Sequence, residues 1–519
     1  MPDRGAVRRA RRRSGRGADP RTTAATAAAA AASFCALLVA APALSGPFAP
    51  PGDARLRADA ELLHAAGLLP EPLDSWPAAW RQIDAALARA EGRPLAPHVA
   101  AAVSRLRAAS ARKTRPHRLE LRLTGATEPP LLRGFAAAPR SAGEAVLLGE
   151  GEVGPLTLAL GATWEGEGTP RRPETLRGTG LSARPSAVSL ALGNLGLYAG
   201  YVDVWWGPGQ EAALIWSTSA RAFPKVGAKL LEPRRIDVPV LRWLGPVRGE
   251  AFVGLLDETR DYDNPMVIGM RAEARPLRGL AVGLQRGMML CGRDRPCGVG
   301  TIAKSLFGAL GVDNTGTFDE PGNQLAGFDI AWTAPLLQTA HALRLHMTVV
   351  GEDSTNVLGQ LSRQAGLRLF GPVGETGASY LVALEVTDTA AATFLGTRRF
   401  PGSMYNHFIY TDGWTYQRRP LGASFDGESR LVSLAGELVD TRNRRLWGSV
   451  QLLDLSVTAD GRYRLSATRE RIGLAAAGAE VATRLGRGRA AIRVQRNAPN
   501  TPDSRPTRLD GEISWILQF

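Results

Sequence analysis

Long hydrophobic segments are absent from most of this 519-residue chain. Beyond the N-terminal region no apolar run reaches the ~20 residues that a membrane-spanning helix requires, which argues against a helical membrane protein. Aromatic residues make up only 6% of the chain, whereas glycine is frequent, with 58 residues. The hydrophobic content of 44% is modest, and a membrane barrel can account for it because only alternate residues of its strands face lipid.

The N-terminus differs from the rest of the chain. Five arginines lie within residues 8–13 and precede an alanine-rich run over residues 22–44, with small residues near its end. This pattern is typical of a secretory signal peptide, which has a basic start, an apolar stretch and a cleavage site of small residues. We therefore predict a signal peptide over residues 1–45. A retained membrane helix is the alternative interpretation. A lipid anchor is not expected at Cys35, because no small residue precedes it.

The chain is basic, with a formal net charge of +14. Eight Arg and two Asp lie in residues 1–45, so the rest of the chain still carries a net charge of +8. This charge suits contact with acidic glycans or lipopolysaccharide. A genome that favours arginine over lysine explains the same charge without any partner.

Cysteine is scarce, and only Cys291 and Cys297 remain beyond the predicted signal peptide. They bracket a short polar loop between two strand-like segments. An even pair in an oxidising compartment that closes such a loop predicts a disulfide. Two thiols without a nearby histidine fall short of the four ligands of a zinc site. The sequence therefore predicts no metal site and no cofactor.

Helical spacing is confined to residues 54–112. The first predicted helix ends before Gly67, since apolar residues recur at this spacing up to that point. A second predicted helix covers residues 76–87, with Asp74 and Ser75 as its cap. A third covers residues 99–111. None of these segments is apolar all round, so we expect a small bundle that packs on another part of the protein. The most direct arrangement is a periplasmic helical bundle, residues 46–117, under the end of a barrel.

From Arg118 onward the hydrophobic period changes to two. Alternation of apolar and polar residues is found in residues 118–124, 343–349, 379–387 and 463–470. Charges of both signs on the inner faces, such as Arg344 and Glu385, suggest a wet, cross-linked lumen. Strands of ~10 residues plus turns predict an all-β transmembrane β-barrel over residues 118–519, with roughly 16 to 20 antiparallel strands.

The last eight residues form the clearest of these strands. Ile513, Trp515, Leu517 and Phe519 share one face, and Glu512, Ser514 and Gln518 share the other. A strand of a soluble sandwich alternates in the same way. The terminal Phe519, however, resembles the signal of bacterial outer-membrane barrels, so the barrel assembly machinery is an expected partner.

Several motifs between these landmarks occur in a fixed order. The most distinctive are Gly200-Tyr201-Val202-Asp203-Val204-Trp205-Trp206-Gly207-Pro208-Gly209 and Ser217-Thr218-Ser219-Ala220-Arg221-Ala222-Phe223-Pro224, and others lie at residues 62–67, 76–77, 323–329, 351–353, 385–389, 405–410 and 413–416. Together they resemble the capsule assembly Wzi family over essentially the whole mature chain. Members of the family tend to have Asn before Ala-Arg-Pro-Phe-Pro. This chain departs from that pattern: it has Ser217-Thr218-Ser219 before Ala220, and Ala222 in place of the first proline.

The resemblance implies an outer-membrane protein that anchors capsular polysaccharide at the cell surface. It also implies a barrel of about 18 strands, a periplasmic helical bundle and no known catalysis. Capsular or exopolysaccharide, outer-membrane lipid and lipopolysaccharide are then the expected partners, and no nucleic acid is expected.

A glycan site needs planar rings that stack on sugar faces and a few polar groups held in place. The stacking candidates are Tyr201, Trp205, Trp206 and Trp216. The polar candidates are Arg221, Glu352, Asp353, Tyr405, Asn406 and His407, with arginine suited to acidic sugars. The alternative places Trp205 and Trp206 in a lipid-facing girdle and makes residues 207–209 a tight turn.

Two other functions were weighed against polysaccharide attachment. A barrel enzyme lacks support, because His341 and His346 lie an odd number of residues apart and no Gly-x-Ser-x-Gly motif is present. No catalytic residue is predicted. A porin with a basic lumen could select anions, but opposite charges inside argue for closure. The sequence thus favours a lectin-like protein that attaches or organises polysaccharide, with an outer-membrane porin or channel as the alternative.

Overall fold

The structure, a computed structural model, describes most of the chain beyond the predicted signal peptide. The described residues are 46–70, 73–113, 115, 117–166, 180–257, 260–307, 322–336, 339–352, 360–394, 396, 398–458, 465–501 and 504–519. The predicted signal peptide, residues 1–45, and the glycan candidate Asp353 lie outside this set.

Four α-helices lie within the described residues. They are α1 (Ala54–Ala65), α2 (Trp80–Arg89), α3 (Pro97–Lys113) and α4 (Val299–Phe307), with a 3-10 helix at Arg242–Leu244. Asp53 caps α1 because its Oδ1 accepts the N–H of Leu56 at 3.0 Å. None of the helices described is long and apolar enough to span a membrane.

The second predicted helix starts later than expected. Two short strands, Ser75–Trp76 and Ala78–Ala79, lie on either side of a bend at Pro77, and α2 begins only at Trp80. Ser75 is not a helix cap, because its hydroxyl donates to the carboxylate of Glu250 at 3.0 Å. Its neighbour Trp76 pairs with another strand, so tertiary contacts override the local cap signal.

Strands make up most of the remaining structure. Those outside the barrel are β1 (Phe48–Ala49), β2 (Ser75–Trp76), β3 (Ala78–Ala79), β10 (Trp205–Trp206), β20 (Thr415–Tyr416) and β21 (Arg419–Pro420). Those of the barrel are β4 (His117–Ala126), β5 (Gly143–Val153), β6 (Leu156–Glu165), β7 (Gly180–Ser182), β8 (Ala187–Leu192), β9 (Leu195–Tyr201), β11 (Pro224–Leu230), β12 (Arg234–Arg235), β13 (Pro246–Leu255), β14 (Met266–Leu277), β15 (Leu280–Leu290), β16 (Gly322–Pro335), β17 (Ala342–Glu352), β18 (Leu361–Pro372), β19 (Ser379–Ala392), β22 (Arg430–Val439), β23 (Arg445–Leu455), β24 (Glu470–Thr483), β25 (Gly486–Arg496) and β26 (Thr507–Gln518).

The barrel is closed by the pairing of its last strand, β26, with its first, β4. Neighbouring strands are antiparallel throughout. Because β7 and β8 both pair with β6, and β11 and β12 both pair with β13, the segments form 18 strands. The predicted all-β barrel with a small helical bundle is confirmed.

One predicted strand is partly wrong. The alternation over residues 463–470 predicts a strand there. Residues 463 and 464 lie outside the described residues, and over the described part, residues 465–470, β24 begins only at Glu470. The hydroxyl oxygen of Ser466 lies 2.8 Å from both the backbone carbonyl of Thr468 and the carboxylate of Glu470, so its one proton is shared between these acceptors. These local hydrogen bonds favour a turn over an extended ladder.

The two ends of the barrel differ in the length of their connections. At the short-turn end, strands are joined by residues 154–155, 193–194, 278–279 and 484–485. At the long-loop end, they are joined by residues 127–142, 202–223, 256–265, 291–321 and 393–429, among others. In outer-membrane barrels short turns face the periplasm and long loops face the outside.

The barrel wall is apolar outside and charged inside, as the period-two pattern predicts. Large apolar residues such as Leu434 and Ile513 are 52% and 65% exposed on the outer face. On the inner face, Lys229 forms an ion pair with Glu250 at 2.7 Å. Each of these two side chains is only 1% exposed, so the charges are paired inside rather than solvated.

The helices α1 to α3 close the short-turn end. Arg55 in α1 donates to the backbone carbonyl of Asn443, in the turn between β22 and β23, at 2.8 Å. Glu61, also in α1, is paired with Arg368 on the inner face of β18. Asp74, which follows α1, is paired with Arg344 on the inner face of β17. The bundle is therefore held to the wall by inward-facing arginines.

Candidate functional site

Two long segments from the long-loop end fold back into the lumen. They are residues 202–223 and 400–429, and we call them together the plug. Most apolar side chains of the plug form one cluster with the inner faces of several strands: Val204, Trp206, Leu214, Ile215, Trp216, Phe223, Phe252, Val350, Tyr405, Tyr410, Trp414, Leu421 and Phe425 belong to it. The lumen thus has an apolar upper layer above the ionic network that holds the helices.

The predicted stacking tryptophans are all buried: Trp206 and Trp216 lie in this layer, and Trp205 lies in the neighbouring cluster that includes Trp76 and the helices. Trp205 and Trp206 are 0% exposed and Trp216 is 1% exposed. Trp216 packs against Phe252 of the barrel wall and against Trp414 of the second plug segment, with ring centroids 4.9 and 5.0 Å apart. These rings have no free face for a sugar. They also lie inside the barrel, so the girdle interpretation does not describe them either.

Arg221 and Tyr201 take part in contacts that anchor the plug. The guanidinium of Arg221 forms a two-pronged ion pair with Glu165 at the end of β6, and Arg221 is 7% exposed. Tyr201, at the end of β9, lies under the guanidinium of Arg184, 5.1 Å from its ring centroid. Arg184 in turn donates to the carbonyl of Ala222 at 2.8 Å and to the hydroxyl of Tyr416 at 3.0 Å, so it connects the rim of the barrel to both plug segments.

Glu352 and Tyr405 form a second anchor. The Glu352 carboxylate accepts the side-chain amide of Asn323 at 2.8 Å and the backbone N–H of Tyr405 at 2.5 Å. The hydroxyl of Tyr405 donates to the carbonyl of Leu214 at 2.5 Å and accepts the N–H of Ala423 at 2.9 Å. Burial raises the pKa of the Tyr405 phenol, so that it remains a donor. This pair joins the two plug segments to each other and to the wall.

The region that departs from the family pattern, residues 217–219, is held through its backbone carbonyls and through the side chain of Ser217. The guanidinium of Arg140, from the loop over residues 127–142, donates to the carbonyls of Thr218, Ser219 and Ala220 at 2.9 to 3.0 Å. Burial and the nearby Arg133 lower the pKa of Arg140 to about 9, so the group stays charged at neutral pH. The hydroxyl of Ser217 adds side-chain contacts, because it donates to the carbonyl of Gly422 in the second plug segment and accepts the N–H of Ser219.

An aromatic and arginine surface lies at the long-loop end, directly on the buried layer, which it meets at the 2% exposed Tyr410. We call it the rim cluster, and its members are Tyr262, Arg295, His407, Phe408 and Tyr410. The rings of His407 and Phe408 stack at 4.9 Å, and those of Tyr262 and Tyr410 meet edge-on at 5.7 Å. Arg295 lies over both tyrosines, 5.8 and 5.9 Å from their centroids. Phe408 is 56% exposed, and it therefore offers a ring face to a ligand.

A disulfide shapes the loop that carries Arg295. Cys291 and Cys297 are bonded, with their Cα atoms 4.8 Å apart. The carbonyl of Cys291 accepts the hydroxyl of Tyr410 at 2.8 Å. The cross-linked loop is therefore tied directly to the second plug segment, and this holds the guanidinium of Arg295 above the aromatic rings.

Sequence reasoning found only part of this surface. Of the predicted residues, His407 belongs to the rim cluster, and Asn406 precedes it in a half-buried position. Tyr410 and Phe408 lie within a recognised motif, but nothing in the motif marks Phe408 as exposed. Tyr262 and Arg295 come from two other loops, so no spacing in the sequence could have joined them to it.

The histidines singled out from the sequence are dispersed over the described structure. No group of three His, Cys, Asp or Glu among the described residues could hold a metal ion. His341, before β17, contacts the hydroxyl of Tyr380 at 3.0 Å. His346 faces inward, 3.7 Å from the carboxylate of Glu385, and His407 lies at the long-loop end. The three histidines thus occupy separate parts of the barrel.

Comparison with known proteins identifies relatives of the chain. The sequence model of the family described as capsule assembly protein Wzi matches residues 115–435. An uncharacterised 55.8 kDa protein in the cps region of Klebsiella pneumoniae is 27% identical over 313 residues. That alignment covers 59% of this chain and 58% of the Klebsiella protein, so the chain matches somewhat over half the length of this curated relative.

A solved structure has the same fold over nearly the whole chain. It is that of Wzi, described as an outer-membrane protein involved in group 1 capsule assembly in Escherichia coli and as a carbohydrate-binding β-barrel. The TM-score is 0.75 at 21% identity, with 92% of this chain and 100% of that chain covered. The match supports the barrel with its N-terminal helices as the fold.

Proposed function

The chain belongs to the capsule assembly protein Wzi family, and from this premise we propose that it binds capsular or exopolysaccharide in a lectin-like manner at the cell surface. The protein lies in the outer membrane. In this proposal the long-loop end faces outward, and the helices α1 to α3, within residues 46–117, face the periplasm. The role is one of binding and organisation, without a catalytic step.

The single observation that carries the proposal is the rim cluster. It joins an exposed ring face, that of Phe408, to a guanidinium held above two tyrosines. Aromatic rings stack on the apolar faces of sugars, and arginine forms charge-assisted hydrogen bonds with carboxylates. This combination fits an acidic polysaccharide. The buried tryptophans support the site from below by filling the lumen.

The filled lumen favours attachment over the porin alternative. The helices close the short-turn end, and the plug occupies the opposite half of the barrel. Trp76 from the N-terminal part pairs with Trp205 of the plug, so the two fillings meet. A diffusion pore requires an open bore along this path.

The test compares two exposed aromatic residues at opposite ends of the barrel. Phe408→Ala should weaken binding of an acidic polysaccharide to the purified barrel by about 1 kcal/mol or more. Trp243→Ala is the matched control, since Trp243 is 66% exposed near the short-turn end. On cells lacking the protein, the fraction of attached polysaccharide should fall and the released fraction should rise. Equal binding by both variants and the parent, or an unchanged attached fraction, would refute the proposal.

A further inference from the structure

A ladder of alternating charges crosses the outer face of the barrel near its long-loop end. It consists of Arg363 on β18, Asp388 on β19, Arg430 on β22, Asp454 on β23 and Arg471 on β24. Each is the direct register partner of the next. Five neighbouring strands thus carry one continuous row of charged side chains at the same height.

The ladder faces away from the lumen. Each member lies between two neighbours on its strand that face inward and are buried. The neighbours, at most 5% exposed, include Ser362 and Gln364, Thr387 and Thr389, Leu453 and Leu455, and Glu470 and Ile472. Side chains alternate between the two faces of a strand. The ladder members between them therefore point outward, toward the surrounding membrane.

The ladder carries an excess of positive charge. Asp388 contacts three guanidiniums, those of Arg363, Arg399 and Arg430, at 3.6, 2.9 and 3.2 Å. Asp454 contacts Arg471 at 2.6 Å, and the Arg471 side chain is 72% exposed. Four arginines thus face two aspartates. The unbalanced charge, together with the exposed N–H groups, suits an anion with several oxygen atoms.

An apolar groove lies on the same outer face, directly below the ladder. Its volume is about 520 Å³, and the outward-facing residues that line it include Val382, Leu434, Gly436, Gly448, Val450 and Ala475. The groove is concave because Gly436 and Gly448, which are register partners, have no side chains there. Leu434 and Val450 lie four residues below Arg430 and Asp454, or ~13 Å along the strands.

From this arrangement we infer that the outer face of β18 to β25 is a binding site for a phosphorylated glycolipid of the outer leaflet. The phosphate groups contact the arginines of the ladder, and an acyl chain lies in the groove below. A hydrocarbon chain fits the apolar lining. The phosphate fits the planar, bidentate guanidinium. This site is separate from the rim cluster and does not depend on the proposed polysaccharide binding.

The experiment measures binding of diphosphorylated lipid A, and of the same lipid after enzymatic removal of its phosphates, to the detergent-purified barrel. The parent should bind the phosphorylated lipid more tightly. The double variant Arg430→Gln/Arg471→Gln should lose at least about fivefold in affinity for that lipid and bind the dephosphorylated lipid as the parent does. Arg444→Gln, at the short-turn end, is the matched control, because Arg444 also pairs with an aspartate, Asp440.

A second variant tests the groove. A Cβ added at Gly436 meets nothing within 4 Å, so Gly436→Leu should fill the groove without disturbing the barrel. It should weaken binding of both lipids, and heat-modifiable migration in gels checks that every variant is folded. Equal affinity of the parent for the two lipids would overturn the inference. The inference would also be overturned if Arg430→Gln/Arg471→Gln bound the phosphorylated lipid as the Arg444→Gln control does. Cross-linking that shows a second copy of the barrel over the groove would overturn it as well.

Discussion

Trp76 and Trp205 are register partners in a small antiparallel sheet inside the lumen. Trp76 follows α1, which enters from the short-turn end, and Trp205 belongs to the plug, which enters from the opposite end. Phe135 contacts both rings, with centroids 5.0 and 5.6 Å away. The backbone N–H of Gly207 adds a hydrogen bond to the carbonyl of Asp74 at 2.8 Å. The two fillings of the barrel are therefore one continuous core.

Trp205→Ala should destabilise this core. Removal of a fully buried tryptophan leaves a cavity, which typically costs about 3 to 5 kcal/mol. The measurement is the guanidinium midpoint of unfolding for barrels reconstituted in lipid vesicles. Trp243→Ala, which removes an exposed tryptophan, should leave the midpoint near that of the parent. Equal midpoints for the two variants would show that the contact between the fillings contributes little.

Arg221→Ala should act on stability rather than on polysaccharide affinity, because the structure pairs Arg221 with Glu165 in a buried position. Loss of one partner leaves an uncompensated carboxylate, at a cost of about 3 to 5 kcal/mol. The double variant Arg221→Met/Glu165→Gln should recover part of this loss. A single variant of full stability that binds acidic polysaccharide less well would instead place Arg221 in the binding site.

Glu211 should make the stability of the plug depend on pH. Burial and the neighbouring charge of Glu385 raise the pKa of Glu211 from 4.5 to about 7. The folded protein therefore holds this proton more tightly than the unfolded chain, and the free energy of unfolding falls as the pH rises from about 4.5 to 7. The slope is at most about 1.4 kcal/mol per pH unit.

The measurement for Glu211 is the unfolding midpoint at pH 5 and at pH 8. The parent should lose more stability between these pH values than Glu211→Gln, because the glutamine has no proton to release. The hydroxyl of Ser433 and the side-chain amide of Gln451, 3.0 and 2.8 Å from the Glu211 carboxylate in the parent, remain within reach of the glutamine. Other groups titrate in both proteins, so the difference between them isolates Glu211. Parallel profiles for the two proteins would contradict the raised pKa.

The bond between Cys291 and Cys297 should matter for binding through Arg295. No free thiol should be titrated at these positions in unreduced, denatured protein. Cys291→Ser/Cys297→Ser should free the loop over the rim tyrosines, so that proteolysis there becomes faster and affinity for an acidic polysaccharide falls. Unchanged loop cleavage in the double variant would mean that Tyr410 and its hydrogen bond hold the loop alone.

Topology gives a prediction on intact cells. Gly92 is exposed in the loop between α2 and α3, so an epitope inserted there extends into solvent. The epitope should be inaccessible to antibody until the outer membrane is permeabilised. An epitope inserted beside Phe408 is the control and should be labelled at once. Surface labelling near Gly92 would reverse the assigned orientation.

The sequence alone determined the class of fold. A period of two over some 400 residues can be satisfied only where one face of each strand is apolar and the other polar, and the outward-facing Ile513 and inward-facing Glu512 of β26 follow it. The helical period of residues 54–112 likewise located the bundle, although the cap signal at Ser75 was overridden by its hydrogen bond to Glu250. These patterns are local, so they can be recognised without knowledge of the partners.

Only the tertiary structure decided which residues are free to bind a ligand. Trp205, Trp206 and Trp216 have the composition of a stacking site, but the plug folds inward and buries them. The rim cluster combines Tyr262, Arg295 and Phe408 from three loops that are far apart in the chain. Exposure and proximity depend on how the long loops pack against the closed barrel, and no local periodicity carries that information. The wall was therefore predictable, whereas the surface that the wall supports was not.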